Sequence, residues 1–133
     1  MKKSILILAI VLVAINYGCS KSNPAKTTTE PLTVTTAEPV KKTSPQAVTL
    51  GGNVTKDGGK PVTEKGICVG DAINPVITNT ENLIEKVGTG LGEFGGDLDL
   101  EDPQFPIGTY HYRAYATNAD GTAYGQDKTF VKE

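Results

Sequence analysis

The chain has few of the residues that most often carry chemistry. Among its 133 residues there is one histidine, His111, one arginine, Arg113, and two cysteines, Cys19 and Cys68. A hydrolase needs a nucleophile, a base and an orienting acid within reach, and a zinc site needs several histidine or cysteine ligands. The lysines are scattered and the formal net charge is −2, whereas nucleic-acid binding needs clustered positive charge. We therefore expect a protein that is not an enzyme and that has no cofactor, no metal and no nucleic-acid partner.

Long apolar runs are also scarce, and the one at the N-terminus is short. Residues 5–15 form an apolar run of 11 residues after Lys2 and Lys3, too short to cross a bilayer core of about 30 Å as a helix. This pattern is typical of a secretory signal peptide. Cys19 follows Gly18, where a bacterial lipoprotein signal peptidase would cut, so we predict a signal peptide over residues 1–18 and lipidation of Cys19. Because Asn16 and Tyr17 are unusual before such a cysteine, cleavage elsewhere to give a soluble secreted protein remains the alternative.

The segment after the predicted cleavage site cannot build a core. Residues 19–31 contain two prolines and no large apolar side chain, so we predict an extended tether. A diacylated, N-acylated Cys19 would carry enough acyl chains for stable membrane anchoring. Ser20 is not the aspartate that would retain a lipoprotein in the inner membrane, so we expect the outer membrane. The sequence leaves open whether the periplasmic or the surface face carries the domain.

From Leu32 onward no helical stripe is present, and short β-rich runs alternate with turn residues. The alternation predicts seven strands: residues 32–35, 48–54, 62–69, 82–87, a run carrying Phe94, Leu98 and Leu100, residues 110–117 and residues 122–131. One sheet cannot bury its apolar face alone, so the expected fold is an all-β, seven-stranded antiparallel sandwich of the immunoglobulin or fibronectin type III kind over residues 32–133. Within its strand, Cys68 is expected to be a small buried hydrophobe.

Four segments carry a resemblance to a known family: AVTLGGNVTKDGG at 47–59, VTEKGIC at 62–68, YRAYATN at 112–118 and GTAYG at 121–125. Together they resemble fibronectin type III-like repeats of bacterial cell-envelope lipoproteins. The resemblance implies a sandwich used for adhesion, assembly or spacing, and it implies that Tyr110 ties the start of the sixth strand to a nearby backbone group. The chain departs from the family at Val69, at Lys128 and in the connection 101–106, which is longer than usual.

The outward face of the predicted sixth strand is the first candidate binding surface. His111, Arg113 and Tyr115 place a cation beside an aromatic ring, and arginine and tyrosine are enriched at binding hot spots. These side chains could instead simply pack on their neighbours and shield the sheet. The loops at 56–60, 71–75 and 118–121 form a second candidate, because sandwich domains often bind through loops.

The acidic residues of the predicted fifth strand favour a solvated face over a metal site. Asp97, Asp99 and Glu101 are spread over roughly 13 Å of extended chain, whereas calcium needs six to eight oxygen ligands around one point. The sequence thus predicts a lipid-anchored module that binds a protein or a glycan at the cell envelope. The alternative is a structural spacer or accessory subunit of a larger outer-membrane complex.

Overall fold

The structure, a computed structural model, describes residues 30–44 and 46–133. Over these residues the chain is all-β, with no helix. Its nine strands are β1 (Thr33–Thr36), β2 (Val40–Thr43), β3 (Gln46–Lys56), β4 (Glu64–Gly70), β5 (Leu83–Gly88), β6 (Gly92–Asp99), β7 (Gly108–Asn118), β8 (Gly121–Tyr124) and β9 (Lys128–Lys132).

The predicted signal peptide, Cys19 and all of the predicted tether except Glu30 and Pro31 lie outside the described residues. Within the described part of the chain, no helix has the length and hydropathy needed to cross a membrane.

The strands form two antiparallel sheets. In sheet A, β6 pairs along one edge of β3 from Gly92 to Asp99, while β1 and β2 follow one another along the other edge. In sheet B, β4 pairs with β5 on one side and with β7 on the other, and β8 and β9 share the far edge of β7. The result is a β-sandwich-like fold, as the alternating pattern predicted.

The structure has nine strands rather than the predicted seven because two strands are interrupted. The first strand breaks at residues 37–39 and resumes as β2, whose four residues are all exposed and therefore give no alternating signal. The last strand breaks at residues 125–127. The two breaks adjoin, since the Thr36 amide donates to Gln126 Oε1 at 3.4 Å and Lys128 pairs with Glu38. Both interruptions thus lie where the edges of the two sheets meet.

The core lies between the sheets and contains the residues that the alternation placed there. Its buried members are Val34, Val48, Leu50, Val54, Val62, Ile67, Val69, Leu98, Leu100, Tyr112, Ala114, Ala116 and Phe130. Burying each large side chain contributes about 1.5–3 kcal/mol of transfer free energy. Cys68, on the opposite face of β4, is also fully buried, as expected for a small hydrophobe.

The strand register defines two ends of the sandwich. Thr33 pairs with Lys56, and Glu30 forms an ion pair with Lys56, so the N-terminal segment enters at the end that also holds Leu91. We call this the tether end. Gln46, Gly70 and Asp99 lie at the opposite end, which we call the far end, and the 11 residues of β3 separate the two by about 33 Å.

Candidate functional site

The predicted binding residues His111, Arg113 and Tyr115 lie on the outer face of sheet B, and none belongs to the core cluster. Their exposure differs from the prediction, however. Tyr115 is 0 % exposed, and His111 and Arg113 are only partly exposed. A ring with no exposed surface offers no stacking platform to a ligand, so the expectation that Tyr115 is exposed is wrong.

Neighbouring strands cover the Tyr115 ring. On the β4 side, the ring packs on Gly66: a Cβ added to Gly66 would lie 3.0 Å from Tyr115 Cε1. On the β8 side, the centroid of the Tyr115 ring is 6.5 Å from that of the Tyr124 ring. The Tyr115 hydroxyl donates to Glu64 Oε1 at 2.8 Å, and Glu64 also pairs with Lys86 at 2.8 Å. The hydrogen bond from Lys86, followed by that from Tyr115, lowers the pKa of Glu64.

The predicted pairing of a cation with an aromatic ring exists, but Tyr124 supplies the ring. Arg113 Cζ lies 4.6 Å from the Tyr124 ring centroid, within the range of a cation–π interaction. Its Nε also donates to the Gly125 carbonyl at 2.9 Å. Arg113 is therefore engaged by β8 and the residue after it.

A loop of the same chain folds over this face. The backbone amide of Ile77 donates to Tyr124 Oη at 3.1 Å, and that of Asn74 donates to Asp127 Oδ1 at 2.9 Å. Asp127 Oδ2 lies 2.7 Å from His111 Nδ1. We call residues 71–82 the covering loop, because its hydrogen bonds to Tyr124 and Asp127 hold it over part of the face that the sequence suggested as a binding surface.

Cys68 and His111 do not form a catalytic pair. Cys68 lies opposite Arg113 in the register, whereas His111 lies opposite Gly70 and its Nδ1 bonds Asp127. Burial raises the pKa of the Cys68 thiol to about 11, despite a hydrogen bond from Asn82 that lowers it. The thiolate is the nucleophile, so the raised pKa and the full burial of Cys68 both disfavour its reaction at neutral pH.

The acidic face of β6 is solvated, as expected, since Glu93, Asp97 and Asp99 are exposed, and Asp97 on this face is also paired. Asp97 accepts hydrogen bonds from Lys42 and Thr49, each at 2.5 Å, and the Lys42 bond is the main cause of its lowered pKa. Because β6 forms an edge of sheet A, these charges discourage edge-to-edge pairing with another chain. Over the described ranges, no group of three or more histidine, cysteine or acidic residues is placed to hold a metal ion.

Tyr110 makes the tie that the resemblance implied. Its hydroxyl donates to the Pro106 carbonyl at 2.8 Å. Its ring stacks on Phe130 with centroids 5.4 Å apart and meets Phe105 edge-on at 5.5 Å. These contacts fix the long connection between β6 and β7 against the start of β7.

This connection forms one wall of an open groove at the far end. The groove has a volume of about 1040 Å³, and the end of β4, the end of the covering loop and the start of β5 form the opposite wall. Its apolar surface comes from Phe105, Ile107, Tyr110 and Leu83, and Ile107 is 78 % exposed. Four carboxyl groups also line it: Asp71, Glu81, Asp99 and Asp102. We call this the far-end groove.

The three loops of the second candidate do not meet. Lys60 pairs with Asp120 and Asn118 Nδ2 donates to the Asp57 carbonyl at 2.7 Å, so the loops at 56–60 and 118–121 share the tether end. Residues 71–75 follow the other end of β4 and lie at the far end. An antiparallel strand sends its two flanking loops to opposite ends, which is why that grouping was wrong.

Sequence reasoning missed the far-end groove, although one signal pointed to it. The connection 101–106 is unusually long in the sequence, and it contains Phe105, an aromatic residue that lies outside the predicted strands. Long ordered connections often carry function.

Comparison with known proteins gave no match to any family model, to any curated protein or to any solved structure.

Proposed function

We propose that this chain is a lipid-anchored, non-catalytic module of the cell envelope that binds a protein or glycan partner through the far-end groove. The observation that carries this proposal is the placement of the groove about 33 Å from the entry of the N-terminal segment. A tether that joins the domain at Glu30 is therefore attached at the opposite end from the groove, so the attachment does not block access to the groove.

A fibronectin type III-like identity for the sandwich is part of the proposal. Its support is the strand order. In sheet A, the interrupted first strand (β1 and β2) lies at one edge, followed by β3 and β6. In sheet B, the order is β5, β4, β7 and then the interrupted last strand (β8 and β9) at the edge. The tie from Tyr110 to Pro106 adds to this support.

A binding role without catalysis agrees with the chemistry of the described residues. The protonated Cys68 thiol and the engaged His111 provide no nucleophile with its base, whereas an open groove with an apolar surface and a few polar groups is what binding sites commonly have. A structural spacer or accessory subunit of a larger outer-membrane complex is the alternative, and it would leave the groove unoccupied in cells.

The proposed anchor is Cys19 in the outer membrane, on either its periplasmic or its surface face. Cys19→Ala should move the protein from the membrane fraction to the soluble fraction, and persistence of Cys19→Ala in the membrane fraction would refute the lipid anchor. Protease treatment of intact cells distinguishes the two faces, since only a surface domain is digested before the outer membrane is broken.

A photo-crosslinking amino acid at position 107 tests the binding role in cells. Position 91 is the matched control, because Leu91 is also exposed, at 55 %, but lies at the tether end. We expect discrete adducts from position 107 and none of the same size from position 91. Equal patterns from the two positions, or no adduct from either, would favour the spacer.

A further inference from the structure

The four carboxyl groups of the far-end groove line one space and, among residues 30–44 and 46–133, have no basic side chain beside them. Seven acidic residues pair with a basic side chain: Glu30, Glu38, Glu64, Asp97, Asp120, Asp127 and Glu133. Within the described residues, none of the four groove carboxyl groups has such a partner. Four further carboxyl groups are also unpaired in the part of the chain that the structure describes, those of Asp57, Glu85, Glu93 and Glu101. The groove is therefore distinguished by the convergence of four unpaired carboxyl groups on one space.

The lining of the groove contains no basic residue. Lys132 approaches the same connection, but its Nζ donates to the carbonyls of Asp102 and Phe105 and it does not line the groove. Of the 13 basic residues of the chain, four precede Glu30, whereas all 15 acidic residues lie from Glu30 onward. The local charge therefore adds to an acidic domain, and an anionic partner would be repelled at this surface.

The apolar part of the groove suits a side chain that has an alkyl stem and a charged tip. Lysine and arginine bury their stems along apolar surface while the charged group stays in water, and aromatic faces attract cations. Phe105 and Tyr110 supply aromatic rings, held by their mutual edge contact, beside the exposed Ile107. Asp71, Asp99 and Asp102 line the same space.

We propose that the far-end groove binds an extended protein segment in which lysine or arginine alternates with apolar side chains. This inference rests on the binding role proposed above and specifies the partner. The apolar side chains pack on Phe105 and Ile107, and the cations face the carboxylates. A neutral glycan could stack on the aromatic rings, but it would leave the four carboxylates without a charge partner.

The test uses the full mature protein in detergent and a short fluorescent peptide in which lysine alternates with leucine. Two further peptides replace lysine with serine or with glutamate, and a neutral oligosaccharide serves as the glycan probe. We expect the lysine peptide to bind at least about tenfold more tightly than the serine peptide, from the summed effect of several exposed charge pairs. Its affinity should fall with rising salt, and the glutamate peptide and the oligosaccharide should not bind.

Two triple variants with the same change in net charge separate the groove from the overall acidity of the domain. The groove variant carries Asp71→Asn, Glu81→Gln and Asp102→Asn. It should weaken lysine-peptide binding about tenfold.

The control variant carries Asp57→Asn, Glu93→Gln and Asp120→Asn, which lie at the tether end and do not line the groove. It should change the affinity less than about twofold, because exposed charges beyond a Debye length are screened. Equal weakening in both triple variants would mean non-specific attraction and would overturn the proposal.

Ile107→Ser tests the apolar part, with Val40→Ser as its control, since Val40 is also exposed, at 59 %, and does not line the groove. Loss of affinity in Ile107→Ser alone supports the proposal. Equal binding of the serine peptide, or binding of the oligosaccharide instead, would overturn it. If position 107 gives adducts in cells but the purified protein does not bind the lysine peptide, this inference is overturned and the binding role stands.

Discussion

At the scale of single residues, Gly52 lies where the two sheets approach each other closely. A Cβ at this position would lie 2.3 Å from the Ala114 Cβ and 2.5 Å from the Thr35 carbonyl oxygen. Gly52→Ala should therefore lower the free energy of unfolding by about 1–3 kcal/mol, as overpacked cores do. Urea unfolding at constant m measures the change.

Gly88→Ala is the matched control for this prediction, because nothing lies within 4 Å of the added Cβ. We expect its effect to stay within about 0.5 kcal/mol. Equal shifts of the urea midpoint in the two variants would contradict the close approach of the sheets at Gly52.

Cys68 provides a second residue-scale prediction. In a Cys19→Ala variant, Cys68 is the only thiol, and burial raises its pKa to about 11. At pH 8 the thiolate fraction is then about one in a thousand, so Ellman's reagent should titrate no thiol in the native protein and one after denaturation. A fast reaction of the native protein at a rate independent of unfolding would show that the thiol is accessible.

At the scale of structural elements, the covering loop is held to sheet B by few hydrogen bonds. Tyr124→Phe removes the acceptor for the Ile77 amide while keeping the ring over which Arg113 lies. Losing one hydrogen bond costs about 0.5–1.5 kcal/mol. We expect amide exchange at Asn74, Val76 and Ile77 to accelerate by about two- to tenfold, with the β3 amides unchanged. Unchanged exchange in the loop would mean that other contacts hold it.

The elements also show which parts of the fold the sequence could predict. In the sequences of β3 and β7, apolar residues recur at alternate positions, so these strands and their core faces were predictable, although both faces of β3, β4 and β7 are largely buried. β2 was missed because all its residues are exposed. The face carrying Tyr115 was predicted correctly but its exposure was not, because alternation cannot reveal that Tyr124 and a loop distant in sequence cover that face.

The groove could not be predicted for a related reason. Its residues come from β4, the covering loop, β5, β6, the connection after β6 and β7, and only the pairing of the sheets brings them together. The sequence marked the long connection at 101–106, but nothing in it placed Asp71 and Glu81 across from Asp99 and Asp102.

At the scale of the whole molecule, the stability of the domain should depend on acidic carboxyl groups. Glu64 and Asp97 have pKa values lowered from 4.5 and 3.8 by their hydrogen bonds, first of all those from Lys86 and Lys42. A carboxyl group with a lowered folded pKa contributes stability above its unfolded pKa and loses it as the pH falls through the folded value. The free energy of unfolding should therefore decline below about pH 4.5.

Glu64→Gln tests this dependence, with Glu93→Gln as the control, since Glu93 is exposed on β6. Glu64→Gln should lower stability at pH 7 and make the acid decline shallower, measured by urea unfolding from pH 7 to pH 3. If Glu93→Gln had the same effect, the hydrogen bonds of Glu64 would not be the cause.

The opposite placement of the N-terminal entry and the groove has a mechanical consequence. A pull between an anchored tether and a partner held in the groove runs parallel to the strands. The hydrogen bonds that join β1 to β3 are then loaded in shear and share the force, instead of breaking one at a time. Under such a load the domain resists extension along its strands, so it would transmit tension between the proposed lipid anchor and the proposed partner.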